Sequence, residues 1–284
     1  MSKVAIVTDS TAYLPKDYLE RYHITLVPQV LIWGEEVMLD GVDIQPDEYY
    51  RRLAGTKIMP TTSQVSVPAM RKAFSELLEQ GYDVLGIFLS GKLSGTLQSA
   101  MQARDSLEKG REKVEIVDSD STAMAMGFQA LTAARAAEVG GTLLECKTLA
   151  EKSRAYTGVY FVVDTLEFLH RGGRIGGAQR FLGTALNLKP ILALRDGKVE
   201  AIERIRTKRK AMERLVELVV EQCGDKTPIR LATLHANAPE DARQVLEEAS
   251  KRLQVTESIF TEVSPVVGTH AGPGTVGLAY MAGM

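Results

Sequence analysis

The chain has 284 residues, of which 45% are hydrophobic and 25% charged, a composition typical of a globular protein with one large or two medium domains. Its formal net charge of -2 gives no field that would attract nucleic acid or an anionic membrane. Residues 4–7 are too short an apolar stretch for a signal peptide, and no segment reaches the ~18 apolar residues of a spanning helix, so we expect a cytoplasmic protein without stable membrane insertion.

The first half of the sequence alternates short apolar runs with amphipathic segments. The apolar runs predict β-strands at residues 4–8, 24–33, 84–89 and 114–117. The amphipathic segments predict helices at residues 66–81, 95–110 and 122–139. This alternation is typical of an α/β fold with a mostly parallel sheet.

A change in composition near residues 152–157 begins a second α/β segment. Its predicted strands lie at residues 158–163, 190–194, 199–206, 229–235 and 259–263, and its predicted helices at residues 208–222 and 239–253. Asp196-Gly197 is a strong signal for a two-residue hairpin, so this half should contain an antiparallel pair. We therefore predict two α/β domains, residues 1–155 with a mostly parallel sheet and residues 156–284 with a mixed sheet.

Segments rich in hydroxyl groups follow several predicted strands, where ligands collect in open α/β sheets. Each of them alone is explained by helix capping, because Ser, Thr and Asp are preferred N-caps. Together they suggest an anion site, since hydroxyls beside a helix N-terminus bind a carboxylate or phosphate without a cluster of basic residues. The candidate residues Ser94, Gly95 and Thr96 follow the strand predicted at residues 84–89, whereas Thr62 and Ser63 lie in a further polar loop, residues 61–66, that precedes a predicted helix. We expect the ligand to lie between or beside the two domains.

Thr269 and His270 lie in a segment with many glycines, residues 266–277, which we predict to be a ligand-binding loop. Glycines let the backbone approach a ligand, and an imidazole can donate to an oxyanion. A simple turn with a structural histidine is the alternative explanation. The G-x-G-x-x-G match inside this segment does not indicate a dinucleotide site, because too little sequence follows it for the βαβ unit of about 30 residues that the motif requires.

Catalytic and metal-binding functions fit the sequence less well. Ser94, His270 and either Asp9 or Asp118 could form a hydrolase triad, although residues 91–95 lack the G-x-S-x-G spacing. A P-loop is absent. The two cysteines, residues 146 and 223, form no metal-ligand spacing, so we predict neither a metal site nor a disulfide.

Four motifs occur in the order in which one known protein family carries them. They read T-S-Q-V-S at residues 62–66, S-G-K-L-S-G-T-L-Q-S-A at 90–100, L-E-F-L-H-R-G-G-R-I at 166–175 and G-T-H-A-G-P-G at 268–274. Together with V-T-D-S at residues 7–10 they extend over nearly the whole chain. The sequence resembles the DegV family.

The resemblance implies a two-domain protein that binds one long-chain fatty acid, as the lipid-carrying subunit of bacterial fatty acid kinase does, without a cofactor or catalysis of its own. Such a subunit presents the carboxylate to a separate ATP-dependent kinase, related to dihydroxyacetone kinases, which makes an acyl phosphate for phospholipid synthesis. By motif position, the resemblance assigns Thr62, Ser94 and His270 to the carboxyl group. It assigns Arg174 and Arg206 to the face that meets the kinase, although a solvated basic surface would show the same pattern.

The acyl chain of such a ligand would need an apolar tunnel, which we expect in the C-terminal domain. Apolar residues that could line it, or could equally be ordinary core, are Phe161, Phe181, Leu182, Leu186, Ile191 and Leu192. At ~0.8 kcal/mol per buried methylene, a sixteen-carbon chain offers about 10 kcal/mol, so burial of the tail should dominate affinity. A different amphiphile remains an alternative, because fold does not fix ligand.

Overall fold

The computed structural model describes residues 3–182 and 188–284. The first half contains, in chain order, β1 (Val4–Asp9), α1 (Lys16–Arg21), β2 (Thr25–Val27), β3 (Val30–Trp33), β4 (Glu36–Leu39), α2 (Pro46–Gly55), β5 (Thr61–Ser63), α3 (Val67–Glu79), β6 (Asp83–Phe88), α4 (Thr96–Asp105), β7 (Val114–Asp118), α5 (Ala123–Glu138) and α6 (Leu143–Ser153). The second half contains β8 (Thr157–Val162), α7 (Glu167–Arg171), β9 (Lys189–Arg195), β10 (Lys198–Ile205), α8 (Lys208–Cys223), β11 (Ile229–His235), α9 (Pro239–Arg252), β12 (Val255–Ile259), α10 (Pro265–Ala271) and β13 (Val276–Ala282). Short 3-10 helices lie at Ser10–Ala12, Arg111–Lys113, Arg154–Tyr156 and Gly176–Phe181.

A parallel sheet in the order β2-β1-β6-β7 forms the centre of the first half. Every residue of β1 is buried, as expected for a parallel strand with helices on both faces. Val7 belongs to the core beneath α3 and α4, whereas its neighbour Ile6 belongs to the core beneath α5. The α/β class and the parallel sheet predicted for this half are confirmed.

A mixed sheet in the order β10-β9-β8-β13-β11-β12 forms the second half. Its hairpin turns at Asp196 and Gly197, which both have positive φ, as a two-residue turn of the predicted type requires. Helices α8 and α9 cover one face, and α5 packs on β8 and β13 from the other. The mixed sheet is also confirmed, and α5 is the layer that both sheets share.

A small antiparallel sheet in the order β4-β3-β5 was not predicted. The single strand predicted at residues 24–33 is wrong, because β2 joins the parallel sheet and β3 joins the small one. Pro28 lies at the break, where its missing N–H prevents it from continuing a strand ladder. Residues 61–63, predicted as part of a polar loop, form the edge strand β5.

Two further predictions in the second half are also wrong. The strand placed at residues 259–263 lies earlier in the chain, as β12. The glycine-rich loop predicted around His270 is largely a helix, α10, which begins at Pro265 and ends before Gly272. Proline in the first turn and a glycine with positive φ after the last turn are ordinary helix signals, and here they outweigh the internal glycine Gly268.

Candidate functional site

A cavity of about 190 Å³ lies between the two halves of the chain. The first half contributes Leu89, which follows β6, and Ala123, the first residue of α5. The second half contributes Phe161, Leu194 and Leu234 from the mixed sheet. The cavity therefore has an apolar interior built from both halves, whereas the tunnel was expected in the C-terminal domain.

Polar residues at one side of the cavity come from segments far apart in sequence. Thr62 of β5 and His270 of α10 are joined by a hydrogen bond of 2.8 Å between Oγ1 and Nε2. Ser63 and Gln64, next in the chain, also line the cavity and are exposed to solvent. Since Phe161 in the interior is buried, these polar residues lie at the opening.

Ser94 reaches the cavity just before α4. Its Oγ accepts a hydrogen bond from the backbone N–H of Thr96 at 3.2 Å and lies 3.0 Å from the Thr96 hydroxyl. Thr96 is fully buried and accepts a hydrogen bond from Gln29 Nε2 at 2.9 Å. The Ser94 hydroxyl is thus held at the start of a helix, where unpaired backbone donors favour a negative charge.

Arg174 connects the Ser94 segment to the His270 segment. Its Nε donates to the carbonyl of Leu93 at 3.0 Å, and its Nη1 donates to the carbonyl of Gly172 at 2.6 Å. Gly172 packs so closely on the imidazole that an added Cβ would lie 2.1 Å from His270 Nδ1. Gln64 completes the circle, because its amide lies against Gly95 on the far side of Ser94.

We call this circle of side chains the polar rim: Thr62, Gln64, Ser94, Arg174 and His270. Each member contacts the next directly or through an adjacent residue of its own segment. All five line the cavity. The rim presents hydroxyl, amide, imidazole and guanidinium groups around one opening, a set that suits an oxyanion.

The His270 side chain is held in its neutral form. Burial, reinforced by the nearby positive charge of Arg174, lowers the pKa of His270 to about 4. Its Nδ1 is buried without a hydrogen-bond partner among the described residues. At neutral pH the imidazole is therefore a dipolar group and carries no charge of its own.

The other predicted site residues have different positions. Thr96 and Thr269 are buried behind the lining, Thr96 bonded to Gln29 and Thr269 lying 3.0 Å from the Tyr49 hydroxyl. Gly95 caps α4 and leaves no room for a side chain against Gln64. Arg206 is exposed, just after the end of β10.

Some lining residues were not singled out from the sequence. Gln29 and Tyr13 line the cavity, and so does Gln64 of the T-S-Q motif. Thr11 and Leu89 also line it, both held by the buried carboxylate of Asp9, which accepts hydrogen bonds from their backbone N–H groups. Thr11 belongs to a hydroxyl-rich segment that follows the first predicted strand, although it was not chosen as a site residue, whereas nothing local marks Gln29 or Tyr13.

The residues proposed for the tunnel divide into groups. Phe161 lines the cavity, whereas Ile191 belongs to the core beneath α8 and α9 on the opposite face of the mixed sheet. Leu192 is fully buried in the main core, against which Phe181 and Leu182 pack from positions that are half-exposed. Leu186 lies outside the described residues.

Residues 3–182 and 188–284 contain neither a metal cluster nor a membrane-spanning helix. No group of three or more His, Cys, Asp or Glu residues is arranged there to hold a metal ion. None of the helices in these ranges is long and apolar enough to span a membrane.

The sequence and fold are similar to those of known proteins over nearly the whole chain. The profile of the DegV family, described as "Uncharacterised protein, DegV family", matches residues 3–283. A DegV domain-containing protein from Streptomyces coelicolor is 39% identical over 277 residues, which cover 97% of each chain. A DegV family protein from Thermus thermophilus, for which fatty acid binding is described, is 36% identical with a TM-score of 0.92 and covers 99% of both chains. A stearic acid-binding protein from Eubacterium ventriosum is 25% identical with a TM-score of 0.91, over 100% of this chain and 99% of its own.

Proposed function

This chain belongs to the DegV family, and from that premise we propose that it binds one long-chain fatty acid in the cavity between its two halves. The observation that carries the proposal is the combination of an apolar interior with a single polar rim at the opening. A ligand that matches both has one anionic head and one long apolar tail. The fatty acid binding described for the Thermus thermophilus protein supports the same ligand class.

The carboxylate is proposed to lie against Thr62, Ser94 and His270. Two hydroxyls and a neutral imidazole can each contribute one hydrogen bond to its oxygens. The only formal charge in the rim is that of Arg174, whose Nε and Nη1 already donate to backbone carbonyls. The carboxylate therefore keeps much of its negative charge, which suits a head group that is to react with another enzyme.

The tail supplies most of the binding energy in this proposal. Burial of a methylene contributes ~0.8 kcal/mol, so a sixteen-carbon chain offers about 10 kcal/mol, whereas each hydrogen bond at the rim contributes about 1 kcal/mol net. Loss of one rim residue should consequently weaken binding less than obstruction of the interior does. The rim sets the orientation of the ligand, and the interior sets its affinity.

Hydrolysis by Ser94 and His270 is the rival function, and the contacts favour it less. His270 Nε2 bonds to Thr62, and the Ser94 hydroxyl lies beside Thr96. Asp9, a candidate third member, is engaged by Thr11 and Leu89, and no carboxylate among the described residues bonds to His270 Nδ1. A base with a pKa of about 4 is also weak at neutral pH. We infer that the chain has no catalysis of its own.

We further propose that the chain presents the bound carboxylate to a separate ATP-dependent kinase, of the kind related to dihydroxyacetone kinases, for acyl phosphate formation in phospholipid synthesis. Exposure of Ser63 and Gln64 at the opening supports access of a partner to the head group. Arg206, exposed outside the cavity, is the residue proposed to meet that partner, together with the partly exposed Arg174. A soluble, non-catalytic carrier is the simplest role consistent with the rim.

Lipid analysis of the purified protein tests the proposal. We expect solvent extraction and mass spectrometry of protein from a bacterial host to give about one fatty acid per chain. Val267→Trp, which fills the cavity from α10, should remove most of that lipid, whereas Val139→Trp, at an exposed site outside the cavity, should not. Circular dichroism and thermal unfolding of both variants check that each is folded.

Three outcomes would contradict parts of the proposal. Wild-type protein that carries no lipid under native conditions would contradict the carrier function. A bound molecule whose mass is not that of a fatty acid would show that the ligand is a different amphiphile. Ester hydrolysis that Ser94→Ala abolishes would show that the chain is an enzyme.

A further inference from the structure

A second depression, about 310 Å³ in volume and open to solvent, lies next to the cavity proposed for the fatty acid. We call it the outer pocket, and its wall includes Leu14, Pro46, Phe260, Glu262 and Ser264. Among the described residues, Tyr13 alone lines both the cavity and the outer pocket. Tyr13 therefore forms part of the partition between them, together with residues 263–266, of which Val263 and Val266 line the cavity and Ser264 and Pro265 line the outer pocket.

The backbone fixes where the Tyr13 ring lies, but no hydrogen bond fixes the ring itself. Tyr13 follows the 3-10 helix Ser10–Ala12 with a φ of 56°, a left-handed conformation that few non-glycine residues adopt. The side chain is 8% exposed, and its hydroxyl has no hydrogen-bond partner in the described part of the chain. Burial and the nearby Asp40 carboxylate raise the pKa of Tyr13, so this unpaired hydroxyl stays protonated. Ser264, at the N-cap of α10, lies near this hydroxyl and lowers the pKa of Tyr13, an effect that burial outweighs.

Helix α10 links the polar rim to the partition. His270 lies in its last turn at the rim, whereas Val266 in its first turn lines the cavity and Ser264 at its N-cap lines the outer pocket. At 1.5 Å per residue the six positions from Ser264 to His270 span about 9 Å. An acyl chain whose head is at His270 and whose tail follows α10 therefore runs from the rim towards Tyr13.

We infer that Tyr13 limits the length of the acyl chain that this protein binds, and that the outer pocket is a subsite for the methyl end of longer chains once the ring is removed. The inference rests on the proposed function, because it concerns the tail of the same ligand. The outer pocket suits such an end, since Leu14, Pro46 and Phe260 offer apolar contacts. Tyr13 is thus a specificity-determining residue with no role at the head group.

A competition experiment tests the inference. Wild-type protein and the variants Tyr13→Gly, Tyr13→Phe and Tyr13→Trp are each incubated with an equimolar mixture of saturated fatty acids of fourteen to twenty-two carbons, and the bound species are measured by native mass spectrometry. Tyr13→Gly, which also suits the left-handed backbone, should shift binding to longer chains by about fourfold for each methylene that enters the outer pocket. Tyr13→Trp should shift it to shorter chains. Tyr13→Phe should keep the wild-type profile, because it retains the ring that lies between the cavity and the outer pocket.

Phe161→Ala is the control for added volume, because it enlarges the cavity away from the outer pocket. An equal shift to long chains in Phe161→Ala would overturn the inference, since volume alone would then set the limit. An unchanged profile in Tyr13→Gly or, if that variant fails to fold, in Tyr13→Trp would also overturn it while leaving the carrier function intact. Absence of lipid from every protein, wild type included, would instead contradict the proposed function itself.

Discussion

At the scale of single residues, the chemistry of the rim depends on a histidine that cannot easily accept a proton. Gly172 lies where any larger residue would collide with the imidazole, and Arg174 lies close enough to repel a second positive charge. Gly172 therefore confines the imidazole, and burial together with the charge of Arg174 keeps it neutral. Its hydrogen bond to Thr62 then sets its orientation towards the cavity.

The low pKa of His270 predicts a pH dependence of stability. The pKa of about 4 in the folded chain lies below the usual 6.5 of an unfolded histidine, so between these values the unfolded state binds the extra proton. Protonation then favours unfolding. The contribution of His270 to the free energy of unfolding should therefore fall by up to about 3 kcal/mol as the pH drops from about 6.5 to about 4.

Chemical denaturation of lipid-free wild-type protein and His270→Gln, compared at several pH values, checks this prediction. The wild type should lose stability relative to the variant across that pH range, because the variant has no proton to bind at this position. NMR titration of the imidazole should give a midpoint near 4 in the folded protein. Equal pH dependence of the two proteins, or a midpoint near 6.5, would be inconsistent with a buried neutral ring.

At the scale of elements, α10 is the part on which the site depends most. It supplies Val266, Val267 and His270 to the cavity from one side of a seven-residue helix. Because so short a helix is marginal alone, contacts with other elements must hold it. Asp40 accepts a hydrogen bond from the Val266 N–H at 3.2 Å, and Gly268 lets α10 lie directly against Tyr50 of α2.

Gly268→Ala should displace α10. The added Cβ would lie 2.5 Å from the Tyr50 hydroxyl, whose ring is buried and cannot move aside freely. Helix propensity alone would favour alanine by up to about 1 kcal/mol, but overpacking of this kind costs about 1–3 kcal/mol, so we expect net destabilisation and a lower lipid content. Thermal unfolding and lipid extraction measure the two effects.

Gly55→Ala is the matched control, because Gly55 ends α2 at an exposed position with nothing within 4 Å of the added Cβ. It should be neutral or slightly stabilising and should keep its lipid. If Gly268→Ala behaves in the same way, close packing of α10 on α2 is not what positions His270.

The elements that could be predicted from the sequence are those with a clear period and clear ends. The buried runs of β1 and β6 and the capped helix α3 were found because each carries its signal locally. The break between β2 and β3 and the helix α10 were missed although Pro28, Pro265 and Gly272 mark them. In both places a strong expectation, an apolar run or a glycine loop, obscured a weaker local signal.

At the scale of the whole molecule, the site exists because two halves of the chain meet. The bond between Thr62 and His270 joins residues 208 positions apart, and the contact of Arg174 with Leu93 spans 81. Motifs marked these residues as candidates, but no local pattern could show that they form one rim. The same reasoning explains why Tyr13 and Gln29 were missed, since their importance comes only from what the fold brings next to them.

The two halves also constrain how a partner can reach the ligand. Arg135 of α5 donates to Glu257 of β12 at 2.7 Å, and the main hydrophobic core runs through both halves, so wide separation would expose buried apolar surface. The kinase proposed as the partner is therefore expected to approach the rim from outside, near the end of the mixed sheet where Arg206 is exposed.

Arg206→Ala tests that approach in the assembly with the kinase subunit proposed above as the partner. Lipid content should be unchanged, because Arg206 lies outside the cavity lining, whereas the rate of acyl phosphate formation should fall by about tenfold, the effect of losing ~1.4 kcal/mol at an interface arginine. Arg71→Ala, on the exposed surface of α3, is the control for loss of one positive charge and should react at the wild-type rate. Equal rates of acyl phosphate formation in the two variants would show that Arg206 is not part of the interface. Loss of lipid in Arg206→Ala would instead make it part of the binding site, and the partner would then have to meet another face of the rim.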